Sequence, residues 1–370
     1  MKNIVLGIDG TWNRPGQMDS GWTAPTNVIK ALRSVSGQSK DDTPQSVIYE
    51  PGIGAYSRSL LQGATGLGIG PMILRSYESL SRYYEPGDNI YIFGFSRGAC
   101  AARSLTNLIA LCGIVDGHRA DNLAMLVRQV YRMYRFRKFS SLQRIDEFRD
   151  CHCHELREIH FIGVWDTVAA LGIPIVGLNW LTRPLYRFHN FAMNPCIENA
   201  FHAIAIDEKR RKFQPIFWEE DDCTSQQVVE QTWFAGSHGN VGGGFKDTGL
   251  SDRALLWMLA KAALAGLGVD EEYVKTKIEP SFQGAMRIYR WPFPKSRRLG
   301  LHSSVNESIH WSAAGLLDDP LSDYDAPNLR TAYIGGHLST SDFGLEVADG
   351  LWHKSTSSPI AIRTVDACMR

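Results

Sequence analysis

Tyr91-Ile92-Phe93-Gly94-Phe95-Ser96-Arg97-Gly98-Ala99-Cys100-Ala101-Ala102-Arg103 is the stretch on which the reading turns. The apolar run Asn89-Ile90-Tyr91-Ile92-Phe93 predicts a strand buried on both faces. Helical apolar spacing then predicts a helix from Ala99 to Leu111. Between them, Gly94-x-Ser96-x-Gly98 leaves room only for a tight bend. A serine on such a strand-to-helix bend is strained and stands clear at the end of the sheet. Gly94, Gly98 and Ala99 are small enough for strand and helix to approach closely. The start of the helix places N–H groups and positive dipole beside Ser96, so the N–H of Arg97 is a candidate oxyanion donor. The pattern alone is weak in a chain with 34 glycines; its place between strand and helix gives it weight.

A serine hydroxyl needs a base to become nucleophilic, and the base needs an orienting acid. On this kind of bend the chain order is serine, acid, histidine. Asp166 ends the next strong strand, Ile159 to Trp165, and is the candidate acid, with Asp207 and Asp247 as rivals. A strand-end aspartate also serves as a helix cap, here for the segment from Thr167. His238 lies just after a further strand, in the glycine-bearing loop Gly236-Ser237-His238-Gly239, and is the candidate base. His202 is its main rival and His302 a more distant one.

Reading outward, Ile4 to Ile8 is a buried first strand stopped by Asp9-Gly10, and Thr26 to Ser36 is helical. Ser46 to Tyr49 is a second strand, followed by a loop with Gly63, Gly66, Gly68 and Gly70, and Ile73 to Tyr84 is helical. That loop lacks the Lys-Ser/Thr of a phosphate loop. One or two basic helices fall in 120–149, a strand at Val228 to Phe234 and a helix at Ser251 to Ala265. Short apolar strands alternating with helices predict α/β architecture, a mostly parallel sheet covered by helices. The expectation is one α/β-hydrolase-like domain over 1–370, with a helical insertion at 113–155. Residues 270–370 read as a loop-rich extension packed on the core.

The length of 370 residues, 44% hydrophobic and 21% charged, suits a globular chain with a sizeable core. Thirty-nine basic residues balance 39 acidic ones, which disfavours a general nucleic-acid binder. Seven cysteines without regular spacing read as reduced thiols. With no secretory leader and no apolar run of spanning length, a cytoplasmic protein is expected. Cys151-His152-Cys153-His154 lacks the usual zinc-ligand spacing, so neither metal nor cofactor is expected.

The chain resembles a bacterial and fungal α/β-hydrolase domain family that includes the catalytic domain of type VI secretion phospholipase effectors. The likeness runs over about residues 3–265. It is carried in order by Asp9-Gly10-Thr11-Trp12-Asn13, Tyr49-Glu50-Pro51-Gly52, Tyr84-Glu85-Pro86-Gly87-Asp88 and Gly94-Phe95-Ser96-Arg97-Gly98. Gly163-Val164-Trp165-Asp166-Thr167, His202 to Glu208, Trp233 to His238 and Gly242-Gly243-Gly244 follow. The resemblance implies a serine hydrolase of phospholipase A type, with Ser96, Asp166 and His238 as its triad. It also implies a lipid or small-ester substrate and delivery by a secretion system that needs no leader. Two residues depart from the family pattern. Cys100 stands where an aromatic residue is usual, and Asn240 where an aspartate is usual. In such folds an early strand-end loop supplies the second oxyanion N–H, so Gly10 and Thr11 are candidates, with Asp9 shaping the loop.

Asp9, Trp165, Leu171, Ile173 and Trp180 are the candidate substrate-contacting residues; the last three belong to the apolar run Val168 to Leu181, a candidate acyl-chain wall. Arg183, Tyr186, Arg187 and Phe188, the basic segment 118–149, and Arg290 to Arg298 are candidates for peripheral membrane contact. A soluble esterase or thioesterase is the rival enzyme, and an idle binding module the rival outside enzymes. The sequence sets no oligomeric state.

Overall fold

The computed structural model describes residues 1–10, 13–52, 69–138, 140–154, 158–168, 190–219, 223–281, 284–289, 294–300, 306–320, 322–336, 338–341, 345–348 and 351–354. Its centre is an eight-stranded sheet. The strands are β1 (Asn3–Ile8), β2 (Gln45–Glu50), β3 (Asn89–Phe95), β4 (Ile159–Trp165), β5 (Ile197–Ala205), β6 (Val228–Phe234), β7 (Glu307–His310) and β8 (Thr340–Ser341). Their spatial order is β2-β1-β3-β4-β5-β6-β7-β8, and every neighbouring pair runs parallel. Parallel neighbours need crossovers, and helices supply most of them. They include α1 (Asn27–Arg33), α2 (Ile69–Tyr83), α3 (Arg97–Cys112), α4 (Leu123–Arg135), α5 (Leu142–His152), α6 (His238–Gly242) and α7 (Gly249–Leu264).

Alternation along β3 sorts the two faces. Ile90 and Ile92 join the core under α2 to α5, while Tyr91, Phe93 and Phe95 join the core under α1 and α7. Both faces are buried, which is why these strands read as unbroken apolar runs. From β1 the chain first steps out to β2, then returns across the sheet to β3. The direction of winding therefore reverses between β1 and β3. Crevices at the carboxyl ends of strands flanking such a reversal are where open parallel sheets place their ligands. The loop after β1 begins with Asp9-Gly10, and the bend after β3 carries Ser96.

The segment 113–155 holds α4 and α5, tied at its base by antiparallel pairing of Ile114–Val115 with Cys153–His154. The described residues beyond 270 hold more regular structure than a loop-rich extension would. They contribute α8 (Glu271–Lys277), α9 (Trp311–Asp318) and α10 (Pro327–Ile334), together with β7 and β8, which extend the main sheet. Ile309, Ala313, Leu329 and Ala332 pack there on Ile204 and Trp233, forming a third core cluster.

The bend after β3 depends on its glycines. A Cβ on Gly94 would stand 2.8 Å from the Ala99 Cα, and one on Gly98 would collide with the Ile8 carbonyl oxygen and stand 2.6 Å from that of Asp9. Those neighbours are backbone atoms and have no rotamer to escape into. Gly98→Ala is therefore expected to lower unfolding stability by about 1–3 kcal/mol, as an overpacked core does. Urea titration checks it, and an unchanged midpoint would contradict the close packing of α3 on the β1 loop.

Candidate active site

Ser96 follows β3 directly and adopts φ 58°, ψ −120°, a conformation L-residues rarely take. Asp166 follows β4 with φ 41°. Each such residue costs on the order of 1–3 kcal/mol and persists only where its surroundings hold it. Both are held by the sheet. The Ser96 N–H donates to the Trp165 carbonyl at 3.0 Å, and the Asp166 N–H to that of Ala203 at 2.7 Å. His238 opens α6 just beyond β6. Three separate strand ends thus deliver three side chains to one point.

They meet in hydrogen-bonding order. His238 Nε2 lies 2.8 Å from Ser96 Oγ, and His238 Nδ1 lies 2.5 Å from Asp166 Oδ2. The imidazole sits between two rings, Phe95 at 4.7 Å and Phe213 at 5.1 Å between centroids. Its backbone N–H donates to Glu208 Oε2 at 3.3 Å, and Glu208 is itself paired with Arg210. Ser96 and His238 keep a small exposed area, while Asp166 has none.

The Asp166 carboxylate has a further partner that the sequence reading missed. Arg297 is fully buried and donates through Nη1 to Oδ1 at 2.5 Å and through Nη2 to Oδ2 at 3.0 Å. The Ala205 N–H adds a third donor at 3.0 Å. Burial pushes the Asp166 carboxyl upward, but the Arg297 charge and the His238 bond outweigh it and hold the group well below the usual carboxylate range. Arg297 also donates to the Ala205 and Phe213 carbonyls, at 2.7 and 2.5 Å, so it fastens the 294–300 segment to the site. Its sequence neighbourhood, Lys295-Ser296-Arg297-Arg298, looks like a solvated basic patch and carries no local signal of burial.

The rivals have other work. His202 is buried in β5, where its Nε2 accepts from the Thr167 N–H at 3.0 Å. Burial, aided by the Arg103 charge, pulls its pKa down to about 3, so the ring stays neutral. Asp207 Oδ2 accepts from the Gly236 N–H at 2.7 Å and the Tyr324 hydroxyl at 2.9 Å, holding the loop before His238. Asp247 accepts from the N–H groups of Gly249 and Ala285. His302 lies outside the described residues.

Several expected roles need correction. Trp165 does not reach a ligand: it is wholly buried, stacks on Phe93 and donates Nε1 to the Ala254 carbonyl at 3.3 Å. Asp9 is buried too, and its carboxylate is taken up by the protein. It accepts from the Gly10 N–H at 2.7 Å, the Thr26 hydroxyl at 2.8 Å and the Tyr49 hydroxyl at 2.9 Å. Burial still pushes the Asp9 carboxyl up to about 6. The Gly10 N–H is therefore engaged by Asp9 and is not the spare donor expected of it. Gly10 matters instead for closeness, since a Cβ there would stand 3.2 Å from that of Ser96. Arg97 is the first residue of α3, so its N–H belongs to the helix N-terminus next to Ser96. Thr11, Leu171, Ile173 and Trp180 lie outside the described residues, as do most of the glycine-rich loop and the 183–188 cluster.

Cys100 is buried in the core, and burial pushes its thiol up to about 12, so it serves as packing. Asn240 Oδ1 accepts from the Ser237 N–H and hydroxyl and from the Arg287 N–H, at 3.2, 3.0 and 3.1 Å. Its Nδ2 donates to the Ala285 carbonyl at 3.0 Å. Among the described residues no group of three or more His, Cys, Asp and Glu side chains is placed to hold a metal ion, and no helix is long and apolar enough to cross a membrane. Cys153 Sγ instead donates to the Cys112 carbonyl at 3.1 Å.

A reversing parallel sheet with a serine on the bend after β3, facing a histidine beyond a later strand, defines the α/β-hydrolase fold. Residues 2–261 match the model of the type VI secretion system (T6SS) family described as phospholipase effector Tle1-like, catalytic domain. The chain belongs to that family. An uncharacterized protein of Saccharomyces cerevisiae is 27% identical over 240 residues, covering 58% of this chain and 32% of that protein. The chain thus spans about a third of the length of that curated relative. Among solved structures, an uncharacterized protein from Pseudomonas aeruginosa is similar with TM-score 0.48 and 18% identity, over 76% of this chain and 49% of that one. The Tle1 effector bound to the VgrG spike of the type 6 secretion system is similar with TM-score 0.41 and 17% identity, over 66% and 52%.

Arg297→Met leaves a buried carboxylate without its counter-charge. It is expected to cost about 3–5 kcal/mol at neutral pH. That deficit should shrink at lower pH, where the unmatched Asp166 takes up a proton; a Met variant as stable as its parent would exclude the role. His202 gives a pH signature of the opposite kind. The unfolded chain binds a proton at this histidine near pH 6.5, while the folded chain refuses it until about pH 3. Its contribution is present above pH 6.5 and lost as pH falls. The stability gap between wild type and His202→Gln should therefore narrow by about 2 kcal/mol between pH 6.5 and 5. Urea titrations at the two pH values measure it, and a constant gap argues against a neutral buried ring.

Proposed function

We propose that this chain is a serine hydrolase that cleaves carboxylic esters of glycerophospholipids through an acyl-enzyme. The observation that carries the reading is the Ser96–His238–Asp166 relay, with its 2.8 and 2.5 Å links. Ser96 Oγ attacks the ester carbonyl as His238 Nε2 removes its proton. Asp166 fixes the tautomer with the proton on Nδ1 and stabilises the imidazolium that forms. The two arginine contacts keep that carboxylate ionised and oriented. Negative charge developing on the carbonyl oxygen is met at the start of α3, where the Arg97 N–H is the candidate donor and the helix dipole adds to it. His238 then protonates the leaving alcohol. Water, activated by the same imidazole, cleaves the acyl-enzyme and restores Ser96.

The phospholipid choice draws support from the family, which is described by its phospholipase effectors. Delivery through a type VI apparatus belongs to the same proposal, as a solved relative is described bound to a spike of that system.

A fluorophosphonate probe is expected to label Ser96 and to leave folded Ser96→Ala protein untouched. On phosphatidylcholine or phosphatidylglycerol vesicles, wild-type protein should release free fatty acid. Ser96→Ala and His238→Ala should each be slowed by about 10⁴-fold or more, as in other relays of this type. Folded wild-type protein that resists the probe counts against the hydrolase reading, and turnover restricted to short soluble esters counts against the lipid.

A further inference from the structure

The helix α4 carries an outer stripe that the site does not use. Met125, Arg128, Gln129, Arg132, Arg135 and Phe136 are all exposed, and their spacing of three and four places them on one face. The opposite face, with Leu126, Val127, Val130, Met133 and Tyr134, is buried in the core. Two large apolar groups stand in water on the stripe, Met125 at 56% exposure and Phe136 at 51%. Lys138 continues the charge just past the helix. From Asn122 to Ile145 the chain holds six basic residues (Arg128, Arg132, Arg135, Arg137, Lys138, Arg144) and no acidic one, although the whole molecule is neutral. Among the described residues Arg128, Arg132 and Lys138 have no salt-bridge partner.

The direction of α4 matters. Its Val130 carbonyl lies near Cys112 Sγ at the far end of α3, and its Tyr134 hydroxyl lies 2.8 Å from Ser104 Oγ, nearer Ser96. The Tyr131 hydroxyl meets the position of a Cβ at Gly70, in the first turn of α2. So α4 climbs back along α3 toward the end of the sheet that bears Ser96. Its most basic and aromatic turn, 132–138, comes last. A face of one sign, with apolar groups between the charges, suits a surface that is anionic on top and oily beneath.

We propose that this stripe is the surface by which the protein seats itself on an anionic phospholipid bilayer. Arg128, Arg132, Arg135 and Lys138 would lie against the headgroups, with Met125 and Phe136 reaching below them. This deepens the phospholipid reading and rests on it for its purpose, though binding itself needs no turnover.

The test uses full-length Ser96→Ala protein and vesicle co-sedimentation. One set of vesicles is phosphatidylcholine alone, and the other is phosphatidylcholine mixed with phosphatidylglycerol. Binding is expected on the mixed vesicles, weakening with added salt. With Arg128, Arg132 and Arg135 all changed to Gln it should fall by roughly 100-fold, given the gain per basic residue near such a surface. Phe136→Ser should lower it further. In the Ser96 background, wild-type and triple-Gln protein should hydrolyse a short soluble ester alike, which also reports folding. Undiminished binding by the triple variant, or equal binding to neutral vesicles, overturns the proposal. So does capture by heparin through the same arginines when vesicles fail to bind. Vesicle binding with no ester hydrolysis by wild type would sink the enzyme reading while leaving the surface intact.

Discussion

A carboxylate that no water reaches has to be matched by protein groups, and Asp166 is matched on every side. Arg297 supplies two donors, Ala205 one, and His238 the fourth contact. Removing an ion from water costs several kcal/mol even after the protein relaxes, so the cluster is stable only as a whole. Each partner comes from a different part of the chain: the end of β5, the first residue of α6, and the segment near 297. The constraint therefore reaches beyond chemistry. It requires the 294–300 segment to reach the carboxyl end of β4, where Asp166 stands. This buried ion pair thus joins the last third of the chain to the first two, alongside the pairing of β7 with β6 and the third core cluster.

The bend at Ser96 places a second demand on the same region. The serine can be strained only because β3 is clamped between β1 and β4, and because α3 can lie almost in contact with the loop after β1. Gly10, Gly94 and Gly98 are the contact points of that packing. Asp9 serves it too, although it touches no reacting atom in the proposed mechanism. Its carboxylate gathers Gly10, Thr26 and Tyr49, so the loop after β1, the start of α1 and the end of β2 are pinned together. A buried acid with its pKa near 6 is a cost the fold accepts to keep that loop in place.

The parts of this arrangement that were legible in the sequence share a property: their signals are local. The strand at Asn89 and its helix are written in apolar runs, and the Ser96 bend in two glycines. The order of serine, aspartate and histidine follows from strand ends that periodicity alone reveals. β5 was not legible, because Ile197 to Ala205 carries Glu198, Asn199 and three alanines where β-branched residues would mark a strand. Only burial on both sides, between β4 and β6, makes it one. Arg297 was hidden for a related reason. An arginine among lysine, serine and another arginine reads as surface, and only tertiary packing turns it inward. Trp165 misled in the opposite sense. It adjoins Asp166 in sequence, but in a strand adjacent side chains point to opposite faces, and the indole goes into the core.

Asn240 shows how one neutral side chain fits between these charges. Its oxygen gathers the Ser237 N–H and hydroxyl and the Arg287 N–H, and its amide nitrogen reaches the Ala285 carbonyl. An aspartate there could keep the three accepted bonds, but it would face the Ala285 carbonyl with a second acceptor and lose that link. It would also add a negative charge two residues from His238, whose backbone already leans on the Glu208 carboxylate. Glu208 is neutralised by Arg210, whose guanidinium covers the Phe213 ring that in turn packs against the imidazole. With asparagine the loop is held by hydrogen bonds in both directions, and the histidine sees one full counter-charge, that of Asp166, itself shared with Arg297. Asparagine thus keeps the hold on the loop while leaving the charge balance of the relay to the buried arginine.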